Sequence, residues 1–241
     1  MQKINNKFNG KIKSNFDINE ENVANMTVQY IDSVTSDNLE LQKYLLNFLI
    51  KKIVDKSDQT SVLEYSIFNK LKNIKHMQDK LNKVFPNGIT EFRYYLDTKY
   101  KELNNALKEK KFQKADEITK NYLIQLAQEN IKVKRKWLYF TDIHSIPPYD
   151  LFFIDLLWKI YSNSRFGFSV QRNIWLSCNK NWGIFLEKIN WNQENKIKRY
   201  PDEFTWNTSA TKGHLPLFNQ IRGNQAFLSL LEHHAWIIYD C

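Results

Sequence analysis

The residues with the greatest capacity for chemistry are the adjacent His233 and His234 and the carboxylates Asp150 and Asp155. Adjacent residues on a helix point about 100° apart, and no HxxxH or CxxC spacing supplies further ligands, so the histidines do not indicate a metal site. Asp150 follows two prolines, where it is a natural helix N-cap rather than half of a catalytic pair. The GxGxxG, GxxxxGK[ST] and GxSxG motifs are also missing. We therefore expect neither a catalytic site nor a metal ligand set.

Two stretches rich in aromatic residues stand in place of such motifs. The stretch 150–176 is largely apolar, and the stretch 199–222 combines Tyr200, Phe204 and Trp206 with threonine, serine, lysine and glycine. Aromatic side chains in a polar loop either pin the loop to the core, which is the commoner role, or line a ligand site. A flat, apolar ligand with several carboxylates would suit the second role, with a cation such as Arg222 or Lys212 at the rim.

The elements that position these stretches are predicted to be helices. Residues 151–161 are apolar around nearly the whole helix circumference, which is typical of a helix at the centre of its domain. Gly167 allows a turn or a close backbone approach. The region 166–176 carries the only hint of period-two alternation, and a helix with Leu217, Ile221, Leu228 and Leu231 is predicted after the second stretch.

The N-terminal half reads as a small helical bundle. Capping boxes at Asp37 with Glu40 and at Ser61 with Glu64 begin two amphipathic helices, and a third ends at the Pro-Asn-Gly of 86–88. A further helix is expected to carry the stripe of Leu96, Tyr100, Leu103 and Leu107. All seven tryptophans lie after residue 136. We therefore predict an all-α protein with an N-terminal helical domain, residues 1–89, and a C-terminal core domain, residues 90–241.

Composition bounds the class of protein. The net charge is +9 and the pI about 9.3, which leaves a basic nucleic-acid-binding helical protein as the alternative function. The lysines are scattered rather than clustered, however, and a phosphate-binding surface needs clusters. No run of about twenty apolar residues is present in the sequence, and its basic start leads into no apolar segment. We therefore expect no leader peptide and at most peripheral membrane association. Cys178 and Cys241 give no disulfide framework, and a reducing compartment is the default.

Several short motifs together resemble the genomes-uncoupled-four family. They are FGFSVQ at 166–171, FTW, SA and KGHLP within 204–216, ADEIT at 115–119, WLYFT at 137–141, DL..ID.LW at 150–158 and NQIRG at 219–223. They occur in the family's order and cover residues 95 to 240. The N-terminal LNKVFPNGI at 81–89 resembles the additional domain of algal and cyanobacterial members.

The resemblance implies a helical core shaped like a cupped hand, with an apolar palm and loops as fingers. It implies a non-catalytic protein without a cofactor of its own, which binds protoporphyrin IX and Mg-protoporphyrin IX. It also implies contact with the H subunit of magnesium chelatase, which the protein stimulates in chlorophyll biosynthesis. We expect a monomer without nucleic acid as a partner, in the chloroplast stroma of an alga or in the cytoplasm of a cyanobacterium.

The porphyrin-binding residues that the resemblance implies are Phe166, Phe168, Val170, Tyr200, Trp206, Leu215, Asn219 and Arg222. Tyr200 stands where the family usually has a tryptophan, and Thr211 replaces a proline. Arg222 would pair with a propionate. We interpret His214, in GHLP, as part of a structural turn, since buried loop histidines usually satisfy backbone groups. A haem or tetrapyrrole enzyme with His214 or His233 as an axial ligand is a further alternative.

Overall fold

The computed structural model describes residues 38–55, 62–129, 135–193, 196–218 and 224–239. The chain divides into two compact units, Met1–Arg93 and Tyr94–Cys241. The division falls within one helix, Ile89–Thr98. The domain boundary that the sequence places between residues 89 and 90 stays a prediction.

The N-terminal unit is a set of short packed helices. They are α1 (Leu39–Asp55), α2 (Val62–Lys72), α3 (Lys75–Val84) and the first half of α4 (Ile89–Thr98). Helix α1 packs on α2, and α2 packs on α3. The core contains fully buried Leu49, Ile53 and Ile67, and burial of such a side chain contributes about 1.5–3 kcal/mol. An ion pair of 3.0 Å between Arg93 and Glu64 lies beneath the surface.

The ends of these helices show where local sequence signals work. Asn38 caps α1, because its Oδ1 accepts from the N–H of Leu41 at 3.1 Å. Asp37 and Ser61, which the sequence favours as caps, lie outside the described residues. The predicted end of the third helix is confirmed, since α3 ends at Val84 and Gly88 follows with φ of +88°.

The C-terminal unit continues with eight helices and two short strands in the described residues. They are α5 (Lys101–Lys108), α6 (Phe112–Gln128), α7 (Phe140–Ile143), α8 (Pro148–Tyr161), α9 (Phe168–Ser177), α10 (Trp182–Lys188), β1 (Asn192–Gln193), β2 (Lys196–Ile197), α11 (Asn224–Leu231) and α12 (Ala235–Ile238). The strands pair antiparallel, and Asn192 faces Ile197 in the register. The predicted all-α class is confirmed.

Helix α8 is the centre of this unit, as its sequence predicts. Phe153, Leu157 and Trp158 are fully buried, and α8 packs against α5, α6 and α12. The indole Nε1 of Trp158 donates to Oγ1 of Thr119 on α6 at 2.9 Å, so this large ring is buried without a lost hydrogen bond. The described residues contain no helix long and apolar enough to cross a membrane.

The start of α8 differs from the sequence-based expectation. Pro147 is the N-cap residue, whereas Asp150 lies inside the first turn. The Asp150 carboxylate instead accepts from Nζ of Lys99 at 2.8 Å and from the hydroxyl of Tyr100. A carboxylate in the first turn is favourable next to the positive end of the helix dipole. Its tertiary partners come from residues fifty positions earlier, which no local pattern reveals.

Two further element predictions are corrected, and the one hint of a strand is resolved in favour of the predicted helical class. The expected helix through Leu96 and Tyr100 is two helices, because α4 ends at Thr98 and α5 begins at Lys101. The region with a hint of alternation is helix α9, not a strand. Finally, Leu217 precedes rather than joins the last long helix, since residues 217–218 are not helical and α11 begins at Asn224.

Candidate functional site

The 213–217 segment of the second aromatic stretch is anchored on helix α9 by one glutamine. Gln171 is fully buried, and its Nε2 donates to the carbonyl oxygens of Gly213 at 2.9 Å and Pro216 at 2.8 Å. Gly213 has φ of +80°, and a Cβ at this position would lie 2.6 Å from Cδ1 of Ile174. Only glycine therefore allows the segment to run this close to the helix.

Asp116 of helix α6 holds the end of the same segment. Its Oδ1 accepts from the backbone N–H of Leu217 at 2.6 Å, and the residue is 4% exposed. Burial raises the pKa of Asp116 to about 8, although the Leu217 N–H and the charge of Lys120 both favour the ionised form. Asp116 is therefore mostly protonated at neutral pH, and the anchor there is a neutral acid.

His214 is fully buried and uses both ring nitrogens. Nδ1 lies 2.7 Å from the carbonyl oxygen of Ile189, and Nε2 accepts from the N–H of Thr205 at 3.1 Å. Its own carbonyl accepts from the indole Nε1 of Trp191 at 2.8 Å. Burial first, and then the charge of Lys198, lower the pKa of His214. The interpretation of GHLP as a structural turn agrees with these bonds, because no ring nitrogen remains for a metal.

Tyr200 and Trp206 form an aromatic pair at the surface. Their ring centroids lie 5.8 Å apart at 88°; Tyr200 is 44% exposed and Trp206 is half-buried. The indole Nε1 of Trp206 donates to the carbonyl of Pro201 at 3.0 Å, which satisfies its polar atom within the segment. Burial, then the charge of Asp116, which is ionised at the high pH where Tyr200 titrates, and then the charge of Glu117 raise the pKa of Tyr200 to about 12. The pair thus offers a neutral, partly exposed aromatic wall.

Phe204 ties this wall to the core. It is 6% exposed and packs edge-on against Trp191, with ring centroids 6.3 Å apart. The ring of His214 lies at a tilt of 37° with its centroid 5.4 Å away. Its ring also contacts Trp206 at 6.2 Å. In the second stretch, therefore, Phe204 holds the loop to the core, whereas Tyr200 and Trp206 keep exposed surface that a ligand could cover.

The predicted palm residues of the FGFSVQ motif lie deeper. Phe166 and Phe168 are fully buried. Phe166 packs edge-on against Phe112 at 5.5 Å and Trp158 at 6.4 Å, while Phe168 packs edge-on against Phe218 at 6.3 Å. Both rings are part of the core that supports the aromatic wall, and direct contact with a ligand stays a prediction for them.

Leu215 and Val170 are buried as well. Leu215 is fully buried and its carbonyl oxygen accepts from the N–H of Gly167 at 3.0 Å, whereas Val170 is 7% exposed. The structure therefore brings GHLP and FGFSVQ together, although more than forty residues separate them. Asn219 and Arg222, the predicted polar rim, lie outside the described residues.

Gly167 is required by a close approach between helices α8 and α9. It has φ of +132°, and a Cβ there would lie 2.6 Å from Oδ1 of Asp155. Asp155 is fully buried and accepts from the N–H of Ser169 at 2.8 Å and from its hydroxyl at 2.7 Å. Since Gly167 has no side chain, the carboxylate of α8 caps the N-terminus of α9 in its place.

Metal chemistry has no ligand set in the described part of the chain. No group of three or more histidine, cysteine, aspartate and glutamate side chains there could hold an ion. His233 is buried, and its Nδ1 accepts from the N–H of Ala235 at 3.1 Å. Burial, followed by the charges of His234 and His144, lowers the pKa of His233 to about 4, so it is neutral at physiological pH.

Comparison with known proteins identifies the family. The GUN4-like family model matches residues 95–234, more than half of the chain and all of the anchoring residues described above. The chain belongs to the GUN4 family. The predicted resemblance is thereby confirmed.

Relatives of this chain align over nearly all of it or over little more than half of it. The ycf53 protein of Pyropia yezoensis is 40% identical over 223 residues, which are 91% of this chain and 93% of that one. A protein of Arabidopsis thaliana named tetrapyrrole-binding protein, chloroplastic, is 40% identical over 147 residues, 57% of this chain and 55% of that one. The structure of GUN4 from Chlamydomonas reinhardtii is 39% identical with a TM-score of 0.52, and covers 57% of this chain and 88% of that one.

Sequence reasoning missed two of the anchors of the candidate site. Gln171 and Asp116 both lie in motifs that carry the resemblance, yet neither receives a role from the sequence. The available signal is a polar side chain on an apolar helix face: Asp116 lies between the buried Ala115 and Ile118. A buried polar group needs a partner, but its partner, Leu217, lies 101 residues further on.

Proposed function

We propose that this chain is a non-catalytic tetrapyrrole-binding protein whose ligands are protoporphyrin IX and Mg-protoporphyrin IX. The observation that carries the proposal is the partly exposed pair of Tyr200 and Trp206 on a segment anchored to a buried core. A flat, apolar macrocycle gains about 25 cal/mol for each square ångström of apolar surface that it covers. The name of the Arabidopsis relative supports the same ligand class.

The carboxylates of the ligand would meet cations at the edge of this wall. Arg199 and Lys212 are exposed on the second aromatic stretch, and Arg222 is the last residue of that stretch in the sequence. Charge-assisted hydrogen bonds from these side chains to propionates orient the ring without requiring a closed cavity. A partly open site also lets the ligand pass to a partner, as a carrier or activator requires.

The first test is a titration of tryptophan fluorescence with deuteroporphyrin and its magnesium complex. All seven tryptophans belong to the C-terminal unit, and Trp206 lies in the proposed wall, so quenching reports directly on binding. Saturable quenching with a dissociation constant in the micromolar range or below supports the proposal. A linear response that never saturates would overturn it.

The second test is Tyr200→Ala, which removes half of the aromatic wall. We expect porphyrin binding to weaken about three- to tenfold, since a lost ring contact costs about 0.5–1.5 kcal/mol. Tyr94→Ala is the matched control, because Tyr94 is 65% exposed on α4 and belongs to the same unit. Equal affinities for the two variants would remove Tyr200 from the binding site.

The proposed role in the cell is stimulation of magnesium chelatase through its porphyrin-binding H subunit, in a chloroplast. Reconstituted chelatase should form Mg-porphyrin faster with this protein than without it at low porphyrin concentration. The gain should fall with Tyr200→Ala in proportion to the loss of porphyrin binding. A stimulation that persists undiminished in that variant would show that it does not depend on this wall.

A further inference from the structure

The hydrogen bonds of His214 define which ring nitrogen carries the proton. A carbonyl oxygen only accepts, so the 2.7 Å contact between Nδ1 and the Ile189 carbonyl requires an Nδ1–H donor. A backbone N–H only donates, so the 3.1 Å contact from Thr205 requires an Nε2 lone pair. The neutral Nδ1–H tautomer satisfies both contacts at once, and no other protonation state does.

The Nε2 lone pair of His214 holds the backbone N–H of Thr205, which lies between two aromatic residues. Thr205 lies between Phe204, which packs on the His214 ring, and Trp206, which belongs to the exposed wall. The described hydrogen bonds of the 199–206 segment otherwise run mainly within it, as from Trp206 to the carbonyl of Pro201. The bond from Thr205 to His214 is the polar link between this wall and the GHLP turn.

We infer that His214 is a positioning residue, which fixes the aromatic wall of Tyr200 and Trp206 through the N–H of Thr205. It acts on the ligand only through this segment, and its ring is not an axial ligand. The effect on porphyrin affinity rests on the proposed function, whereas the tautomer and the Thr205 bond do not.

Two replacements separate the two hydrogen bonds of His214. Glutamine extends its carboxamide to about the position of Nε2, so His214→Gln keeps an acceptor for Thr205. Asparagine reaches only to about the position of Nδ1, so His214→Asn keeps a donor for Ile189 and leaves the Thr205 N–H without its acceptor. Both are neutral amides, and each variant is the matched control for the other.

Porphyrin titration of the two variants tests the inference. We expect the dissociation constant of His214→Gln to stay within about twofold of the wild type. That of His214→Asn should rise about five- to tenfold, which is the low end of the cost of a lost hydrogen-bond partner, because the Thr205 N–H is only partly buried. Equal dissociation constants for the two variants would overturn the inference. So would a Soret shift typical of histidine ligation that disappears in both.

A ligand-free measurement keeps the inference testable if either variant fails to fold. Nitrogen-15 spectra of the wild type should show a neutral Nδ1–H tautomer for His214, and the Thr205 amide should exchange slowly with deuterium. An Nε2–H tautomer or a fast-exchanging Thr205 amide would overturn the inference. Absence of porphyrin binding by the wild type would instead overturn the proposed function and, with it, the effect on affinity.

Discussion

At the scale of residues, the candidate site depends on side chains that hold backbone groups. Gln171 donates to the carbonyl oxygens of Gly213 and Pro216. His214 accepts from the N–H of Thr205, and Asp116 accepts from the N–H of Leu217. Each of the three is buried. A buried polar group without its partner costs about 1–3 kcal/mol, so each anchor strongly favours one path of the segment. The backbone of Thr205 and of the 213–217 segment is thus positioned by hydrogen bonds from neutral side chains.

Asp116 should make stability depend on pH. Its pKa is raised from 3.8 to about 8 in the folded protein, so the unfolded chain releases this proton first as the pH rises. The stability that the neutral acid contributes is therefore fully present below about pH 4 and is lost as the pH rises towards 8. Asp116→Asn keeps an acceptor for Leu217 without an ionisable proton. Between pH 5 and pH 9 we expect the unfolding free energy of the variant to rise relative to that of the wild type by about 4 kcal/mol, because about three pKa units at about 1.36 kcal/mol each fall within that range.

Thermal or urea unfolding at several pH values measures this difference. Glu117→Gln is the control, because Glu117 is a half-buried carboxylate on the next position of α6 that pairs with Lys114 at 3.5 Å. The free energy of unfolding of Glu117→Gln should differ from that of the wild type by nearly the same amount at pH 5 and pH 9. If the free energies of unfolding of Asp116→Asn and the wild type differ by the same amount at pH 5 and pH 9, the raised pKa of Asp116 is contradicted.

At the scale of elements, the crossing of α8 and α9 depends on the absence of a side chain at Gly167. The carboxylate of Asp155, which caps α9, lies next to Gly167. A Cβ on residue 167 would lie only 2.6 Å from its Oδ1. The apolar character of α8 predicts that it lies at the centre of its unit. It does not predict that Asp155 faces the next helix, since a buried aspartate is uncommon unless a partner is present.

Gly167→Ala should destabilise the C-terminal unit by about 2 kcal/mol or more, because the residue combines a strained φ with a steric clash. Gly183→Ala is the matched control. Gly183 lies in α10, where the nearest atom to a new Cβ is 3.6 Å away, so alanine there should stabilise by up to about 0.5–1 kcal/mol. Urea unfolding followed by tryptophan fluorescence gives both values. Equal effects of the two substitutions would mean that the α8–α9 crossing adapts to the added carbon.

At the scale of the whole molecule, the net charge of +9 leaves nucleic acid as the alternative ligand, and the salt dependence of binding distinguishes it from the proposed porphyrin. Phosphate contacts release counterions, so a DNA complex with six to ten of them loses about 10³- to 10⁵-fold in affinity between 50 and 200 mM salt. Burial of an apolar macrocycle carries no such dependence.

We expect the dissociation constant for deuteroporphyrin to change less than about threefold between 50 and 200 mM salt, because apolar burial dominates. The fluorescence titration at the two salt concentrations measures this, and duplex DNA in place of the porphyrin is the control. Tight DNA binding that falls steeply with salt, beside weak porphyrin binding, would favour the nucleic-acid alternative.

The sequence by itself determined the helical class, the central place of α8, the end of α3 and, through its motifs, the family. These features depend on local periodicity, turn residues and short motifs, which are read over a few neighbouring positions. Only the tertiary structure decided three other features. They are the anchors Gln171 and Asp116, the hydrogen-bond partners of Asp150 and the break in the helix at Tyr100. Each depends on a partner between about 40 and 101 residues away, or on how a buried ring packs. A sequence shows that a polar residue is buried on an apolar face, but only the folded chain brings up the backbone group that it binds.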